Sequence, residues 1–182
     1  MDKDIHLKWN KTTEEIIAHT PVYDVIKQHE VSNTGIEGDY IATSCRDWAV
    51  IIPVIEDSFL MVRQWRHASE NITLEFPGGV CDFGEEPLKS AARELEEETG
   101  YHPNKVSYLG SFSPNPALFR NRVHCYLAED LVNTGVQHLD ADEVLEFSLV
   151  PIDDILSNLG NSEFDHALMA SALALYLSKI RG

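Results

Sequence analysis

Apolar and β-branched residues recur in short runs along much of the chain, and polar or glycine-containing turns separate these runs. Such runs predict strands. Residues 48–55 and 59–65 are the most apolar and flank the short turn 56–58, which predicts a hairpin of buried strands. Trp48 and Trp65, at the ends of this hairpin, are expected in the core. The other predicted strands cover residues 22–31, 39–44, 72–76, 106–112, 122–128 and 144–150.

Residues 87–99 follow the helical period instead. Their apolar positions recur at i, i+3, i+4 and i+7, which places them on one helix face that would pack against a sheet. Pro87 suits the first turn of this helix, and Gly100 suits the position just past its end. The apolar face comprises Leu88, Ala91, Ala92 and Leu95.

Two further helices are predicted late in the chain. The first lies near residues 152–159, and the second covers residues 163–180 with Asn161 or Ser162 as its N-cap. Strands therefore dominate the first half, and helices are inserted late. This order predicts a mixed sheet sandwiched between helices, an α/β or α+β fold.

Composition narrows the functional class. The 182 residues suit one domain, and an apolar fraction of 43% is enough for a core. Lys and Arg total 14 against 30 Asp and Glu, a net charge of −16. This balance argues against a nucleic-acid partner and against a membrane surface, which usually require basic patches. An anionic ligand would need cations placed locally.

The cysteines suggest the compartment. There are three, far apart and without a CxxC pair, so neither a zinc site nor a disulfide framework is indicated. No apolar run approaches the ~20 residues of a membrane span. A soluble, cytoplasmic protein with reduced thiols is expected.

Four glutamates crowd the C-terminal half of the helix predicted at 87–99. Glu94, Glu97 and Glu98 fall within about 100° of one another on one face, and Glu96 points toward solvent. Glu94 and Glu98 form a like-charge pair one turn apart, which costs a few tenths of a kcal/mol on an ordinary helix. The helix dipole also disfavours negative charge at this end.

Two interpretations of this acidic helix are possible. A solvated acidic face would have Lys and Arg interleaved, but residues 93–100 contain one Arg and no Lys. Divalent cations can supply the missing positive charge, because hard cations such as Mg²⁺ take oxygen ligands. Cations held in this way would also bridge to phosphates. The pattern therefore favours a metal site that serves an anionic substrate.

The spacing around this helix matches a known signature. Residues 79–101 read GVCDFGEEPLKSAARELEEETGY and follow the pattern GX5EX7REUXEEXGU, where U is a bulky apolar residue. Every fixed position matches, and the only departure is that the last U is Tyr101 rather than an aliphatic residue. The segment thus resembles the Nudix box, and the chain is similar to the Nudix hydrolases.

This resemblance implies a fold, a reaction and a metal. Nudix hydrolases are α/β/α sandwiches that use water and Mg²⁺, or in some cases Mn²⁺, to cleave a nucleoside diphosphate linked to another moiety. Glu94 and Glu98 then correspond to the principal metal ligands, with Glu97 close by and the carbonyl of Gly78 as a further ligand. Arg93 corresponds to the residue that orients the glutamates, in keeping with its i, i+4 relation to Glu97.

Other box residues have simpler or open roles. Gly79 and Gly100 suit a tight loop and a helix end, respectively. Glu85 either pairs within the box or serves as a helix-entry carboxylate favoured by the dipole.

A general base is expected outside the box helix, on a mobile loop. The sugar-nucleotide branch of the family commonly carries this glutamate just before a late strand, where this chain has the acidic segment 139–147. Glu143 is the predicted base, followed by Asp142 and then Glu146. Solvated surface would have the same composition.

The resemblance extends to the branch that acts on ADP-ribose and other nucleoside diphosphate sugars. Residues 61–79 are similar to the segment before the box in that branch, where the residue equivalent to Arg66 contacts the pyrophosphate; alternatively, Arg66 pairs with a surface carboxylate. Glu75 could bind a substrate hydroxyl or pair with a box arginine. Pro116 falls where a proline often marks ADP-ribose pyrophosphatases.

The N-terminal region also fits this branch. Residues 1–45 are predicted to form a β-element that packs onto a second subunit of a homodimer, and residues 46–182 form the Nudix domain. Trp9, Tyr23 and Arg46 are the candidates for contacts to the base or phosphates; each could instead serve packing or surface.

The resulting prediction is an enzyme that hydrolyses a nucleoside diphosphate sugar, of the ADP-ribose, ADP-glucose or GDP-mannose type, to a nucleoside monophosphate and a sugar phosphate. One alternative is a hydrolase of a dinucleotide or a nucleoside triphosphate. Another is a module that binds a nucleotide sugar without cleaving it; such modules typically lose box glutamates, and here all are present.

Overall fold

The computed structural model describes residues 3–141, 143–161 and 163–180. Contacts group the chain into two compact units. The first comprises the described residues of Met1–Arg46 together with Ser113–Asn121, and the second comprises those of Asp47–Phe112 and Arg122–Gly182. The division into functional domains at residue 46 stays a prediction.

The first unit is a three-stranded antiparallel sheet with the order β1-β2-β3. Its strands are β1 (Trp9–His19), β2 (Asp24–Ser32) and β3 (Glu37–Ser44). The sequence patterns indicated β2 and β3 but not β1, because every residue of β1 is exposed and no period-2 burial pattern marks it.

Residues 113–121 join this sheet although they are distant from it in sequence. The N–H of Thr43 donates to the carbonyl of Leu118 (2.6 Å). The guanidinium of Arg120 forms a bidentate pair with the carboxylate of Glu14, with N–O distances of 3.1 and 2.8 Å. Most of the connection between the strands that end at Phe112 and begin at Val123, residues 113–121, is thus part of the first unit.

The second unit is built around a mixed sheet with the order β10-β5-β4-β9-β8, in which β6 pairs with β5 and β7 with β4. Strands β4 and β9 are parallel, and the other pairs are antiparallel. Its elements are β4 (Trp48–Ile55), β5 (Ser58–Arg66), β6 (Asn71–Glu75), β7 (Gly78–Val80), α1 (Pro87–Thr99), β8 (Tyr101–Phe112), β9 (Val123–Asn133), β10 (Leu145–Pro151), α2 (Ile152–Asn158) and α3 (Ala167–Ile180).

Alternation along the central strands divides the core into two layers. On one face, Ile51 and Leu60 pack with Leu95 of α1. On the other face, residues such as Ile52 pack with Ile155 of α2 and with α3. Helices therefore cover both faces of a mixed sheet, which confirms the predicted α/β/α sandwich.

The box helix α1 has the predicted bounds. Pro87 is in its first turn, and Gly100 ends it in the left-handed conformation (φ 69°), which a residue with a Cβ adopts at a cost. Leu95 is fully buried as predicted, but Leu88 is 43% exposed and does not belong to the packed face.

Two other predictions were wrong in detail. The last helix begins at Ala167 rather than at 163. The carbonyl of Glu163 does not take part in the helix, because it accepts a hydrogen bond from the N–H of Leu74 on β6 (2.8 Å). Asn161 lies six positions before α3, and Ser162 lies outside the described residues. Trp65 is 48% exposed and does not belong to the core.

Strands β8 and β9 are longer than predicted. Strand β8 already begins at Tyr101, and strand β9 ends only at Asn133. Within the described part of the chain, none of the helices has the length and apolarity needed to cross a bilayer.

Candidate active site

The box loop and α1 meet at two adjacent glycines. A Cβ atom at position 79 would lie 2.5 Å from Oε1 of Glu94, so the carboxylate occupies the space that any other residue would fill. The N–H of Gly78 donates to Oε2 of Glu98 (3.0 Å). The loop thus allows the second and last glutamates of the box motif to approach the sheet closely.

Glu98 is the most deeply buried carboxylate of the box helix, with 2% of the residue exposed. Burial raises its pKa well above the usual value for Glu, and the charges of Glu94 and Glu143 raise that pKa further. The hydrogen bond from Gly78 and the charge of Arg66 act in the opposite direction but do not compensate.

Glu94 shares this environment. Its pKa is raised to about 7, chiefly by burial, and the charges of Glu97 and Glu143 add to the effect. Arg93 opposes the shift by its charge and by a hydrogen bond of 3.0 Å from its Nη1. Two neighbouring carboxylates therefore lie where the protein itself provides too little positive charge.

Arg93 collects the carboxylates of the box around one guanidinium. Its Nη1 donates to Glu94 and to Glu97 (2.7 Å), and its Nε and Nη2 donate to the two oxygens of Glu85 (3.1 Å each). Glu85 therefore pairs within the box, which decides between its two predicted roles, and Arg93 holds its pKa below the usual value.

Arg66 at the end of β5 forms a bidentate pair with Glu75 on β6, with Nε–Oε1 and Nη2–Oε2 distances of 2.7 and 2.6 Å. Glu75 is almost fully buried and also accepts a hydrogen bond from the hydroxyl of Thr73. Burial alone would raise the pKa of Glu75, but Arg66 and Thr73 together keep that pKa below its usual value. The partner of Glu75 is thus Arg66 and not the box arginine.

This pair faces the box helix. Arg66 lies six positions after Leu60 on β5, hence on the sheet face that α1 covers. The charges of Glu98 and Glu143 act on Arg66 and, after Glu75, contribute to raising its pKa. The pair with Glu75 uses two of the five N–H groups of the guanidinium, and the others can donate to a phosphate.

The acidic segment before β10 brings Glu143 to the same site, since its charge acts on Glu94, Glu98 and Arg66. The N–H of Glu143 donates to the carbonyl of Asp140 (3.0 Å). The side chain of Glu143 is half-buried.

The other two candidates for the base have different outcomes. Glu146 is paired in register with Arg63, which lies three positions before Arg66 and hence on the opposite sheet face. Glu146 therefore faces away from the box helix. Asp142 lies outside the described residues.

The remaining predicted contacts belong to the first unit. Trp9 begins β1, and its ring packs edge-to-face on Tyr40 (5.5 Å between centroids). Tyr23 lies between β1 and β2, and the exposed Arg46 follows β3. Trp9 pairs with Ser32 at one end of the β1–β2 ladder, and Tyr23 follows its other end, roughly 30 Å away at the usual rise of a strand.

The box carboxylates fit a divalent cation by their chemistry. Glu94 and Glu98 offer hard oxygen donors whose mutual repulsion the protein leaves uncompensated. Within residues 3–141, 143–161 and 163–180, however, no three Asp, Glu, His or Cys side chains are grouped closely enough to hold a metal ion. Glu97 is turned toward Arg93. The ligand set that includes Gly78 and Glu97 stays a prediction.

Sequence patterns missed two polar contacts of this site. Thr73 supports Glu75 from the same strand face, and Gln137 donates to the carbonyl of Glu98. A two-residue spacing on a strand could have suggested the first contact, whereas nothing in a polar loop sequence distinguishes Gln137.

The uncompensated charge leads to a stability prediction. Glu98→Gln should raise the melting temperature of the metal-free protein, measured by calorimetry with a chelator, by about 2–4 °C for each kcal/mol recovered. Because the pKa of Glu98 is higher in the folded than in the unfolded chain, wild type loses stability through this group as the pH rises through the folded pKa. The gain should therefore grow between about pH 5 and about pH 8.

The matched control is Glu96→Gln, the same change on the same helix at a side chain that is 41% exposed and paired with His102. It should leave the melting temperature nearly unchanged at both pH values. A lower melting temperature for Glu98→Gln in chelator would show that the charge at position 98 is already compensated.

Comparison with known proteins agrees with this geometry. The NUDIX domain family model matches residues 46–172. An ADP-ribose pyrophosphatase of Bacillus subtilis (strain 168) is 37% identical over 126 residues, which cover 69% of this chain and 68% of that protein. The ADP compounds hydrolase NudE of Escherichia coli (strain K12) is 28% identical over 137 residues, covering 75% and 73%.

A solved structure extends the similarity to nearly the whole chain. The crystal structure of an ADP compounds hydrolase superposes with a TM-score of 0.86 at 25% identity and covers 96% of this chain and 95% of that one. The family model alone spans more than half of the chain, and it includes the glutamate helix, Arg66 and Glu143. The resemblance seen in the box residues is confirmed, and the chain belongs to the Nudix hydrolase family.

Proposed function

We propose that this Nudix hydrolase cleaves the pyrophosphate bond of nucleoside diphosphate sugars, giving a nucleoside monophosphate and a sugar phosphate. The observation that carries this proposal is the buried carboxylate of Glu98 with the partly buried one of Glu94, beside a guanidinium, Arg66, that keeps N–H groups for another acceptor. Such a site suits cations and a polyphosphate together. The names of the related proteins, an ADP-ribose pyrophosphatase and ADP compounds hydrolases, support a substrate of this class.

The proposed cofactor is Mg²⁺, with Mn²⁺ as the alternative, and its proposed ligands are Glu94, Glu97, Glu98 and the carbonyl of Gly78. When bound, a divalent cation neutralises phosphate charge and makes water more acidic. Arg93 is the proposed orienting residue, because it already holds Glu94 and Glu97 by hydrogen bonds.

Two residues outside the box helix complete the proposed chemistry. Arg66, held in place by Glu75, donates to the pyrophosphate through its remaining N–H groups. Glu143 accepts the proton of the attacking water as the new P–O bond forms and the bond to the leaving phosphate breaks. The action of its charge on both Glu94 and Glu98 supports this role.

Recognition of the base is proposed to involve the first unit. Tyr23 and Arg46 lie at the same end of its sheet, where Asp24 pairs with Ser44, and can contact one ligand together. Trp9 lies at the opposite end and is partly covered by Tyr40. Within one chain, Trp9 and Tyr23 cannot both contact the same base.

We further propose a homodimer formed through the first unit. Strand β1 is an edge strand of 11 residues, all exposed, and includes Ile16 and Ile17 at 60% and 51% exposure. A long exposed edge with apolar residues is unfavourable in a monomer, and a second copy of the chain would cover it. A cytoplasmic location stays a prediction from the separate cysteines.

The substrate class is tested by phosphatase-coupled turnover with Mg²⁺ on ADP-ribose, ADP-glucose, GDP-mannose, NADH, a diadenosine polyphosphate and a nucleoside triphosphate. We expect turnover confined to the sugar nucleotides. Glu98→Gln should lower it by orders of magnitude because a carboxylate that holds the cation is lost, whereas Glu96→Gln should not. Tight Mg²⁺-dependent binding without turnover on any substrate would instead indicate a nucleotide-sugar sensor.

The role of Glu143 is tested by Glu143→Gln, which removes the proton acceptor and keeps the shape of the side chain. We expect kcat to fall about 10²- to 10⁴-fold, with the Mg²⁺ concentration for half-maximal rate nearly unchanged. Glu146→Gln is the matched control, three positions along and on the opposite sheet face. Equal losses in both variants, or none in Glu143→Gln, would remove Glu143 from the mechanism.

The dimer is tested by light scattering on the purified protein. Wild type should have the mass of two chains, and the double variant Ile16→Lys/Ile17→Lys should shift toward one chain, because two charges enter the apolar surface of β1. Val22→Lys/Ile36→Lys is the control, since both residues are exposed but lie outside the strands. A monomeric wild type would contradict the proposal.

A further inference from the structure

The C-terminal end of α1 needs donors that the helix does not contain. Its last turn reads EEET, without Lys, Arg or His, and the last carbonyls of any helix lack intrahelical partners. Gly100 satisfies one of them, because its N–H donates to the carbonyl of Glu96 (2.8 Å). Other donors must come from another part of the chain.

Residues 134–138, which follow β9, supply them. The N–H and hydroxyl of Thr134 donate to the carbonyl of Gly100 (2.7 and 2.8 Å). The N–H of His138 donates to the carbonyl of Glu97 (2.9 Å), and the side-chain amide of Gln137 donates to the carbonyl of Glu98 (2.5 Å). The loop is thereby attached to the backbone of Glu97 and Glu98, the last two glutamates of the box motif.

The same loop carries Glu143. It is attached to α1 as far as His138 and joins the sheet again at Leu145, where β10 begins opposite Gln64. Only residues 139–144 lie between these two attachments. The position of the Glu143 carboxylate relative to Glu98 therefore depends on where the first attachment is made.

We propose that Gln137 is a positioning residue that fixes the loop of Glu143 against the metal-binding helix; this rests on the proposed function. Gln137 is singled out because its bond to the helix depends entirely on the side chain. His138 contributes only its backbone, and Thr134 keeps its backbone bond when its hydroxyl is lost.

Electrostatics also explain why a neutral amide, rather than a charged side chain, suits position 137. Lys or Arg is the usual donor near a helix C-terminus, but its charge would compete with a divalent cation for the carboxylates one turn away. An amide donates the hydrogen bond without adding a cation. Gln137→Lys should therefore keep the attachment but raise the Mg²⁺ requirement.

The test compares Gln137→Ala with Asn158→Ala. Asn158 makes the same kind of bond, from its side-chain amide to the carbonyl of Asp154 in α2 (2.8 Å), away from the site. We expect Gln137→Ala to lower kcat about 10- to 100-fold with little change in KM. Gln137→Lys should have a kcat close to that of wild type at saturating Mg²⁺. Asn158→Ala should leave kcat unchanged. An unchanged kcat in Gln137→Ala overturns the proposal.

A double-mutant cycle separates positioning of Glu143 from a general loss of structure. If Gln137 acts through Glu143, adding Gln137→Ala to Glu143→Gln should lower kcat no further. An equal fold-loss with and without the Glu143 carboxylate would show that Gln137 acts on stability or on another residue, and would overturn the proposal.

A measurement without turnover distinguishes this inference from the proposed function. In the metal-free protein, amide hydrogen exchange in the peptide 139–147 should be faster in Gln137→Ala than in wild type or Asn158→Ala. If wild type cleaves none of the sugar nucleotides, the proposed function fails, and exchange alone decides whether Gln137 holds the loop. Unchanged exchange overturns the attachment itself.

Discussion

The burial of Glu98, with the partly buried Glu94 one turn before it on the same helix, is the constraint on which the site depends. Glu98 is buried in the last turn of α1, where the peptide dipole is already negative, and Glu94, one turn earlier, keeps 16% of its side chain exposed. Burying a charge without a partner is costly, and the hydrogen bond from Gly78 offsets only part of that cost for Glu98. The folded chain therefore retains an unfavourable electrostatic free energy, which a bound cation can remove.

The two arginines of the site do not neutralise this carboxylate charge themselves, because other carboxylates already pair with them. Arg93 is occupied mainly by Glu85 and Glu97, and Arg66 by Glu75. Each guanidinium is hydrogen-bonded to these other carboxylates, and neither forms a bidentate pair with Glu98. Positive charge is thus close enough to attract an anion and still leaves the carboxylates available for a metal.

Local patterns predicted the parts of the fold that depend on local sequence. The bounds of α1 follow from its apolar period, Pro87 and Gly100, and the structure has the same bounds. The exposed strand β1 has no burial pattern to detect, and the late start of α3 follows from a backbone bond between Glu163 and the distant Leu74.

The same limit applies to the site. Spacing within one helix was enough to predict that Arg93 contacts Glu97, one turn away. The orientation of Glu146 away from the site depends on strand register, which no local pattern specifies. Arg66 and Glu75 are not opposite each other in their register, so their pair depends on the path of the arginine side chain along the sheet. The attachment of Gln137 to Glu98 depends on a loop conformation that the composition of residues 134–138 does not specify.

The inclusion of residues 113–121 in the first unit has a consequence for how this chain can be divided. The polypeptide enters or leaves that unit after Arg46, after Phe112 and after Asn121, so no single cut separates the two units. A catalytic fragment beginning at Asp47 would keep Arg120 and Leu118 but lose Glu14 and Thr43, their partners in the sheet. A fragment that retains its fold would need this excursion replaced by a short turn, and exchange of the N-terminal region between relatives would have to include both pieces.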